Sequence, residues 1–281
     1  MKYNVLFILS SNYSGSSLLD AILGNTPISL SCGEIQNLWR FSYHQLNIPP
    51  NGICNCHGPD CELWNKLSNK ITPKNIYNFL YQHTKKRIII DSSKKFDWFQ
   101  QQSSGIEYSN CSSIILIRDL KEVIGSRFGR GKPKDPIKYI RQKFKLWVDY
   151  YTQCINYTSN HNIKNYFANY EDIMKDPTGS IKNICNYFNI PFKKGILDYW
   201  NNTHNHQCFG NSRVKYFLSG SKEEQPDKFL ENSIYKNNFR KIIYKPGKYD
   251  ILFTEKEYQY IQNLKLNTEF LRIMEYFQNE K

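Results

Sequence analysis

Residues 3–17, YNVLFILSSNYSGSS, decide the fold of this chain. The five apolar residues from Val5 to Leu9 are too few to cross a membrane, and polar turn residues bound them, which is typical of a strand buried on both faces. Small residues fill positions 14–17, and the next segment, LLDAILG, repeats apolar residues at helical spacing until Gly24 ends it. The stretch therefore predicts a strand, a tight turn and the start of a helix.

The turn of this stretch carries Ser14, Gly15, Ser16 and Ser17 directly before the helix. Main-chain N–H groups at a helix start lack partners, Gly15 allows close approach and serine hydroxyls donate, so the turn suits an anion such as a phosphate. The Walker loop of ATP-hydrolysing proteins needs a lysine before its Ser or Thr, and no lysine stands here. ATP hydrolysis is therefore disfavoured, and a plain serine-rich linker remains the alternative for the loop alone.

The composition bounds the class of protein. The chain has 281 residues, enough for one large α/β domain or two small ones, and 40% of them are hydrophobic, which argues against disorder. We expect one domain covering residues 1–281. The formal charge of +13 indicates anionic partners or ligands, and charge alone fits nucleic acid, anionic lipid, an acidic acceptor or a nucleotide equally well.

Targeting signals and cysteines bear on the compartment. The apolar run near the amino terminus lacks the small-residue cleavage site of a signal peptide, and no later stretch reaches the ~20 apolar residues that a bilayer span needs. The eight cysteines are spread over a chain much larger than a disulfide-stapled mini-domain. We therefore expect a soluble, cytoplasmic protein with mostly reduced and buried cysteines.

Three further short apolar runs predict strands, at residues 88–90, 114–117 and 165–168. Helical patterns accompany them, among them one from Pro73 to His83, a long one from Asp135 to Tyr157 and two short ones in the tail, 254–277. Strands that alternate with helices form a mainly parallel sheet covered on both faces, because parallel strands need crossover connections. The sequence thus predicts an α/β fold with a central, mainly parallel sheet of four strands and helices on both faces.

The first loop resembles that of sulfotransferases that use 3′-phosphoadenosine 5′-phosphosulfate (PAPS). YSGSSLLDAILG is similar to the family's RSGSTLL loop, with Tyr13 where the family has an arginine. The resemblance implies a P-loop-like three-layer fold and assigns the 5′-phosphosulfate to Ser14, Gly15, Ser16 and Ser17. The missing arginine removes a fixed cation beside the transferred group, so either another basic residue replaces it or activity is weakened.

Two later segments resemble the family's nucleotide-binding motifs. In SSIILIRDLKEVIGSRFGR, Arg118, Ser126 and Arg130 fill the places of the 3′-phosphate motif, an arginine at a strand end, a serine eight residues later and another arginine. A guanidinium offers paired donors on a planar fork, which suits a phosphate. The segment NYEDIMKDP is similar to the family's YEDL…DP, in which the tyrosine contacts adenine, so Tyr170 inherits that role.

Glu34 and Lys94 are the candidate catalytic residues. Glu34 lies in a CGE triplet that resembles one in tyrosylprotein sulfotransferases, whose Glu is the general base; the plain alternative is a carboxylate favoured at a helix start. Lys94 ends a DSSK tetrad, a feature of bacterial sulfotransferases. It is our first candidate to stabilise the oxygen that bridges phosphorus and sulfur and to compensate for Tyr13, whereas a solvated pair with Lys95 is the alternative.

A cysteine-rich segment, GICNCHGPDCELW, holds four candidate metal ligands within eight positions: Cys54, Cys56, His57 and Cys61. Zinc accepts three thiolates and one imidazole, yet the Cys-x-Cys spacing and the adjacent histidine strain a tetrahedral site made by one short loop. The segment resembles CxCG…CPFW of bacterial relatives. We interpret residues 33–72 as an insertion on the acceptor side, in which a disulfide remains open, and we expect no metal.

The stretch HNHQCFGNSRVKYF resembles the H…GN…R segment of bacterial members, which comes near the nucleotide. Its arginine, Arg213, stands one place closer to Asn211 than expected, so we assign it no contact. His204 and His206 are a weak metal signal, because neither a carboxylate nor a further histidine accompanies them.

The resemblance implies in-line transfer of a sulfuryl group from PAPS to a hydroxyl or amine of an acceptor, with no metal required and no nucleic-acid partner. The acceptor is undetermined among a carbohydrate, a lipid, a tyrosyl protein and a small metabolite, because the family builds acceptor pockets from variable segments, here 38–63 and 215–248. Two alternatives remain. A P-loop nucleotide-dependent kinase lacks its loop lysine, and a non-enzymatic nucleic-acid or polyanion binder fits poorly with basic residues spread along the chain.

Overall fold

The computed structural model describes residues 3–40, 54–58, 60–67, 70–106, 110–193, 195–201, 205–210, 214, 218 and 246–279. Its strands are β1 (Asn4–Ser10), β2 (Ser29–Ser31), β3 (Ile88–Asp91), β4 (Cys111–Ile117) and β5 (Lys164–Asn169). They form one sheet in the order β2-β3-β1-β4-β5, and every neighbouring pair is parallel. The predicted α/β fold with a parallel central sheet is confirmed.

The central strand, β1, fixes where ligands bind. Val5 lies opposite Ile89 of β3 on one side and Cys111 of β4 on the other. Every residue from Val5 to Ser10 is buried, as predicted for a strand covered on both faces. After β1 the chain builds β2 and β3 on one side and β4 and β5 on the other. The strand order therefore reverses at β1, and α/β sheets bind ligands at the carboxyl ends of strands beside such a point.

The prediction of four strands was wrong by one, since β2 forms a fifth strand at the edge of the sheet. It has three residues, two of them serines, so it lacks the apolar run that identifies the other strands. All three residues are nevertheless buried, and the Ser29 hydroxyl accepts a hydrogen bond of 2.7 Å from Thr26. Burial of satisfied polar side chains explains why composition did not indicate this strand.

Helices cover both faces of the sheet. They are α1 (Ser16–Gly24), α2 (Asn37–Arg40), α3 (Ile76–Thr84), α4 (Phe96–Ser104), α5 (Leu120–Phe128), α6 (Pro136–Asn160), α7 (Tyr170–Lys175), α8 (Pro177–Tyr187), α9 (Glu255–Leu264) and α10 (Thr268–Asn279). Short 3-10 turns occupy Trp64–Lys66, Tyr199–Asn201 and Asp250–Leu252. Within the described residues, no helix combines the length and the apolar character that crossing a bilayer requires.

Alternate residues of β1 build the two halves of the core. Val5, Phe7 and Leu9 pack in one cluster with side chains of α3, α4, α5, α6, α9 and α10. Leu6 and Ile8 pack in a second cluster with α1, α7 and α8. Successive side chains of a strand point to opposite faces, so one apolar run supplies both clusters.

The capping signals place most helix ends where they were expected. Asp135 caps α6, and its carboxylate accepts a hydrogen bond of 2.9 Å from the Lys138 N–H. The two tail helices, α9 and α10, are also confirmed. By contrast, α3 begins three residues after the predicted Pro73, because the Asn75 side chain accepts from the Thr72 N–H at 2.7 Å and holds a turn ahead of the helix.

Candidate active site

The loop between β1 and α1 is shaped to receive an anion. Two of its residues have left-handed backbone conformations, Tyr13 with φ 69° and Gly15 with φ 89°. The Gly15 carbonyl accepts from the N–H groups of Leu18 and Leu19, which closes the first turn of α1. The first N–H groups of α1, which include those of Ser16 and Ser17, have no acceptor within the helix. Unpaired N–H groups at the positive end of a helix form an anion site.

The entry to this loop is anchored by Tyr151 of α6, which is completely buried. Its hydroxyl accepts a hydrogen bond of 3.0 Å from the Ser11 N–H and donates one of 2.8 Å to the Leu116 carbonyl near the end of β4. The Ser11 and Ser14 hydroxyls are also hydrogen-bonded, at 2.7 Å. The loop is thereby fixed relative to two neighbouring strands.

Tyr170, at the start of α7 after β5, lies directly on the loop. A Cβ atom added to Gly15 would be 2.3 Å from the Tyr170 ring, so only glycine fits there. The Arg118 guanidinium also lies over the Tyr170 ring, 4.6 Å from its centroid. Glycine, aromatic ring and arginine therefore form one packed unit at the carboxyl edge of the sheet.

Arg118 follows β4 and points at the loop. Its Nη1 donates to the Tyr13 carbonyl at 2.7 Å, and its remaining nitrogens lie 3.5 Å from Glu122 and 3.8 Å from Glu171. Only 13% of the Arg118 side chain is exposed. Burial raises the pKa of both glutamates, an effect that the charge of Arg118 opposes. A largely buried cation thus borders the anion loop, shared between two carboxylates.

The other two residues of the predicted 3′-phosphate motif lie along and beyond α5. Ser126 is half-buried in α5, and Arg130 is exposed just after that helix. The Arg130 guanidinium carbon lies 5.1 Å from the centroid of the Tyr13 ring. A positive charge therefore does stand beside Tyr13, and Arg130 carries it. Lys94, our first candidate to compensate for Tyr13, is paired with Glu34 in the structure.

Lys94 forms an ion pair with Glu34, the second candidate catalytic residue. The exposed fractions are 13% for the Lys94 side chain and 20% for that of Glu34. The other carboxylate oxygen of Glu34 accepts 2.9 Å from the Asn37 amide, and the Glu34 N–H donates to the Cys208 carbonyl at 2.9 Å. The structure therefore brings together a carboxylate and an ammonium from the ends of two adjacent strands, β2 and β3.

Asp20, a residue that the sequence analysis missed, ties this pair to the loop helix. Its carboxylate in α1 accepts 2.9 Å from the Gly33 N–H and 2.7 Å from the Ser92 hydroxyl. Gly33 precedes Glu34, and Ser92 stands two residues before Lys94. Complete burial raises the pKa of Asp20 to about 7. The only signal in the sequence was a lone carboxylate inside the apolar segment LLDAILG.

A second buried carboxylate, Asp91, organises the end of β3. It accepts hydrogen bonds from the Tyr77 hydroxyl at 2.6 Å, the Trp98 indole at 2.8 Å and the Ser93 N–H at 2.8 Å. Burial raises its pKa as well. Ser93 in turn accepts a hydrogen bond of 3.1 Å from the Gln36 N–H, and the Ser92 N–H donates one of 2.9 Å to the Gly33 carbonyl. These two bonds join the segments that carry Lys94 and Glu34, in addition to the ion pair itself.

All ten predicted site residues are described, and they follow the carboxyl ends of all five strands. Two other residues singled out in the sequence, His204 and Arg213, lie outside the described residues, as do most of the variable segments 38–63 and 215–248. The described arrangement offers N–H groups that suit an anion at the start of α1 and holds a carboxylate–ammonium pair whose segments are bonded to the same helix, which suits transfer of a charged group to a protic acceptor.

Comparison with known proteins finds a matching family and similar solved structures. The family model of the sulfotransferase domain matches residues 6–244. The fold is similar to the sulfotransferase domain from the curacin biosynthetic pathway, with 18% identity, 98% coverage of both chains and a TM-score of 0.60. A sulfotransferase domain of the Synechococcus PCC 7002 olefin synthase has 19% identity, covering 94% of this chain and 96% of its own, with a TM-score of 0.58.

A mouse sulfotransferase complexed with PAP is also similar, with 16% identity, coverage of 98% of this chain and 90% of that one, and a TM-score of 0.51. These three likenesses concern the fold. A comparison with curated protein sequences finds no significant match.

We predict that Gly15→Ala destabilises the protein and weakens anion binding, because the new methyl group collides with Tyr170. Gly195→Ala is the matched control, since Gly195 has nearly the same φ, 87° against 89°, and only an ordinary contact at 3.6 Å. The extra loss of unfolding free energy for Gly15→Ala should be about 1–3 kcal/mol. Urea unfolding measures it, and equal losses in the two variants would contradict the collision.

We predict that Asp20→Asn changes how stability depends on pH. The folded-state pKa of Asp20 is about 7 against 3.8 for an ordinary aspartate, so the folded state binds the extra proton between these values. The wild type should therefore lose up to about 4 kcal/mol, at ~1.4 kcal/mol per pKa unit, as pH rises through that window, relative to the variant.

Urea unfolding at about pH 4.5 and pH 8 checks this expectation. The control is Asp149→Asn on the exposed face of α6, which removes a carboxylate that water solvates in both states. A gap between wild type and Asp20→Asn that is the same at both pH values would show that Asp20 does not titrate in this window.

Proposed function

Because the chain belongs to the sulfotransferase family and is a PAPS-dependent sulfotransferase, we propose how its residues divide the work of sulfuryl transfer. The N–H groups and hydroxyls of residues 14–17 hold the 5′-phosphosulfate. Arg118, Ser126 and Arg130 hold the 3′-phosphate, and Tyr170 meets the adenine. The acceptor's hydroxyl or amine attacks sulfur in line with the bond to the bridging oxygen.

The observation that carries this proposal is the Glu34–Lys94 ion pair, whose two segments are both hydrogen-bonded to Asp20 in the helix after the anion loop. As the acceptor attacks, a bond forms between its oxygen or nitrogen and sulfur, and the bond from sulfur to the bridging oxygen breaks. Glu34 takes the acceptor's proton, while the Lys94 ammonium stabilises the negative charge that grows on the bridging oxygen. The pair must separate for this, with Lys94 turning to the nucleotide and Glu34 to the acceptor.

Residues already present supply the charge that the nucleotide requires. Arg118 donates a hydrogen bond to the Tyr13 carbonyl, and the carboxylates of Glu122 and Glu171 lie near its other nitrogens. A phosphate that binds to Arg118 therefore takes the place of groups that are also negatively charged. Arg130, which we assign to the 3′-phosphate, also lies 5.1 Å from the ring of Tyr13, the residue that stands where the family has an arginine. The transferred group carries one negative charge, so Lys94 and main-chain N–H groups suffice and the reaction as proposed requires no metal.

The acceptor remains a hydroxyl or amine of undetermined class. We further propose that residues 1–281 work as one catalytic domain, with the insertion 33–72 on the acceptor side and the helices from 254 onward closing the core. In support, α9 and α10 contribute to the same apolar cluster as β1.

We predict that Glu34→Gln lowers the turnover number by about 10²- to 10⁴-fold, the usual contribution of a general base, and leaves the affinity for PAPS unchanged. Turnover is measured as PAP release over a panel of carbohydrate, lipid, tyrosyl-peptide and small-alcohol acceptors, and affinity by calorimetry. Glu255→Gln, on an exposed first turn of α9, is the control. Wild-type turnover in Glu34→Gln would leave Glu34 only a role at the start of α2.

Ligand specificity tests the nucleotide end separately. A ligand that binds only the folded protein raises the melting temperature by mass action, so PAPS should raise it at concentrations above its Kd. ATP with magnesium should not, because the loop lacks the lysine that grips the outer phosphates. A shift with ATP and magnesium but none with PAPS would overturn the proposed roles of the loop.

A further inference from the structure

Four sulfur- and nitrogen-bearing side chains that the proposed reaction does not use lie close together. Cys54, His57 and Cys61 come from the cysteine-rich segment, and His206 comes from the segment 205–210, about 145 residues later in the chain. Their ligand atoms all lie within 4.8 Å of one another. The two cysteines are buried, and the two histidines are partly buried.

The distances approach those of a tetrahedral metal centre. The Cys54 sulfur lies 3.5 Å from Nδ1 of His57, and the Cys61 sulfur lies 3.1 Å from Nδ1 of His206. Zinc–sulfur bonds of ~2.3 Å and zinc–nitrogen bonds of ~2.0 Å at tetrahedral angles put neighbouring ligands about 3.3–3.8 Å apart. Closing the widest separation in this group requires a shift of about 1 Å, which side-chain rotation provides.

We propose that Cys54, His57, Cys61 and His206 bind one structural Zn²⁺ ion. Thiolate sulfur and imidazole nitrogen are the ligands that zinc prefers, and two of each complete its tetrahedral shell without a water. Binding displaces one proton from each thiol, so two thiolates neutralise the ion and the centre can be buried. The spacings of two and three intervening residues in the loop are those of structural zinc sites.

Sequence spacing did not indicate this set of four ligands, for two reasons. A site made by the short loop alone would use Cys56, whose spacing from Cys54 and His57 strains tetrahedral geometry. The structure leaves Cys56 outside the group of four. His206 seemed to lack companions because its partners lie in the cysteine-rich segment and not beside it in sequence. The long-range pairing replaces the ligand that the short loop cannot supply.

Hydrogen bonds orient the proposed ligands from both segments. The Trp64 indole donates 2.7 Å to the His206 carbonyl, and the Asn55 N–H donates 2.7 Å to the Gln207 carbonyl. Cys54 and Cys208 also form an antiparallel bridge. The two segments are thus already paired through their main chains, so the ion would fasten an existing contact.

The segment that His206 belongs to reaches the active site. The Cys208 carbonyl accepts from the Glu34 N–H at 2.9 Å, and the Gln207 side chain donates 3.1 Å to the Ser17 carbonyl in α1. Removing the ion should therefore loosen the support of Glu34 and of the loop helix together. Its proposed role is therefore positioning.

Metal content tests the proposal without reference to catalysis. The purified 281-residue protein should carry about one zinc per chain by inductively coupled plasma mass spectrometry. Cys61→Ser and His206→Ala should lose most of it, whereas Cys56→Ser, two residues from Cys54 in the same loop, should retain it. Wild type stripped with a chelator should melt at a lower temperature and recover when Zn²⁺ is added.

Cobalt serves as the spectroscopic probe. Co²⁺ added to stripped wild type should give the intense visible bands of tetrahedral cobalt and a thiolate charge-transfer band, with one equivalent at saturation. The same titration of the wild type keeps the test decisive if a ligand variant does not fold.

Three results would overturn the proposal. The first is a wild-type protein that contains no zinc and also fails to give the cobalt spectrum. The second is a Cys56→Ser variant that loses the metal as fully as Cys61→Ser. The third is a Cys54–Cys61 disulfide, found by mass mapping under non-reducing conditions. Stoichiometric zinc in an inactive protein would instead count against the proposed catalytic roles alone.

Discussion

The hydrogen bonds that the buried Asp20 carboxylate accepts are the constraint on which the rest of the site depends. They join the helix after the anion loop to the ends of β2 and β3, the two strands that carry Glu34 and Lys94. A parallel sheet brings strand ends to one edge, but it leaves side chains at those ends free to diverge. A buried carboxylate with donors from both strands removes that freedom, at the cost of its own desolvation.

The parts of the fold that the sequence predicted are those with strong local signals. The apolar runs of β1, β3 and β4 and the capped start of α6 each reflect burial or hydrogen bonding within a few residues. β2 was not predicted because two of its three residues are serines, whose burial depends on distant partners. Local pattern carries no record of such partners, so strand content was underestimated at the edge of the sheet.

The same limit governs the site. Residues next to a strand end, such as Arg118 and Lys94, were identifiable because position along the chain fixes their place at the sheet edge. Asp20 and His206 were not, because their roles rest on contacts with residues far away in sequence. The exchange of the family's loop arginine for Tyr13 is a related case, since Arg130 lies more than a hundred residues later in the chain and approaches Tyr13 only in the folded structure.

Helix α10 supports the anion loop indirectly, through Tyr151. Phe277 of α10 packs 6.5 Å from the Tyr151 ring and 5.0 Å from that of Phe167, and Tyr151 is the residue whose hydroxyl fixes the start of the loop. The family match ends at residue 244, before this helix begins. A protein truncated to the matched region would lose the contact between Phe277 and Tyr151, so the tail supports the residue that anchors the start of the loop.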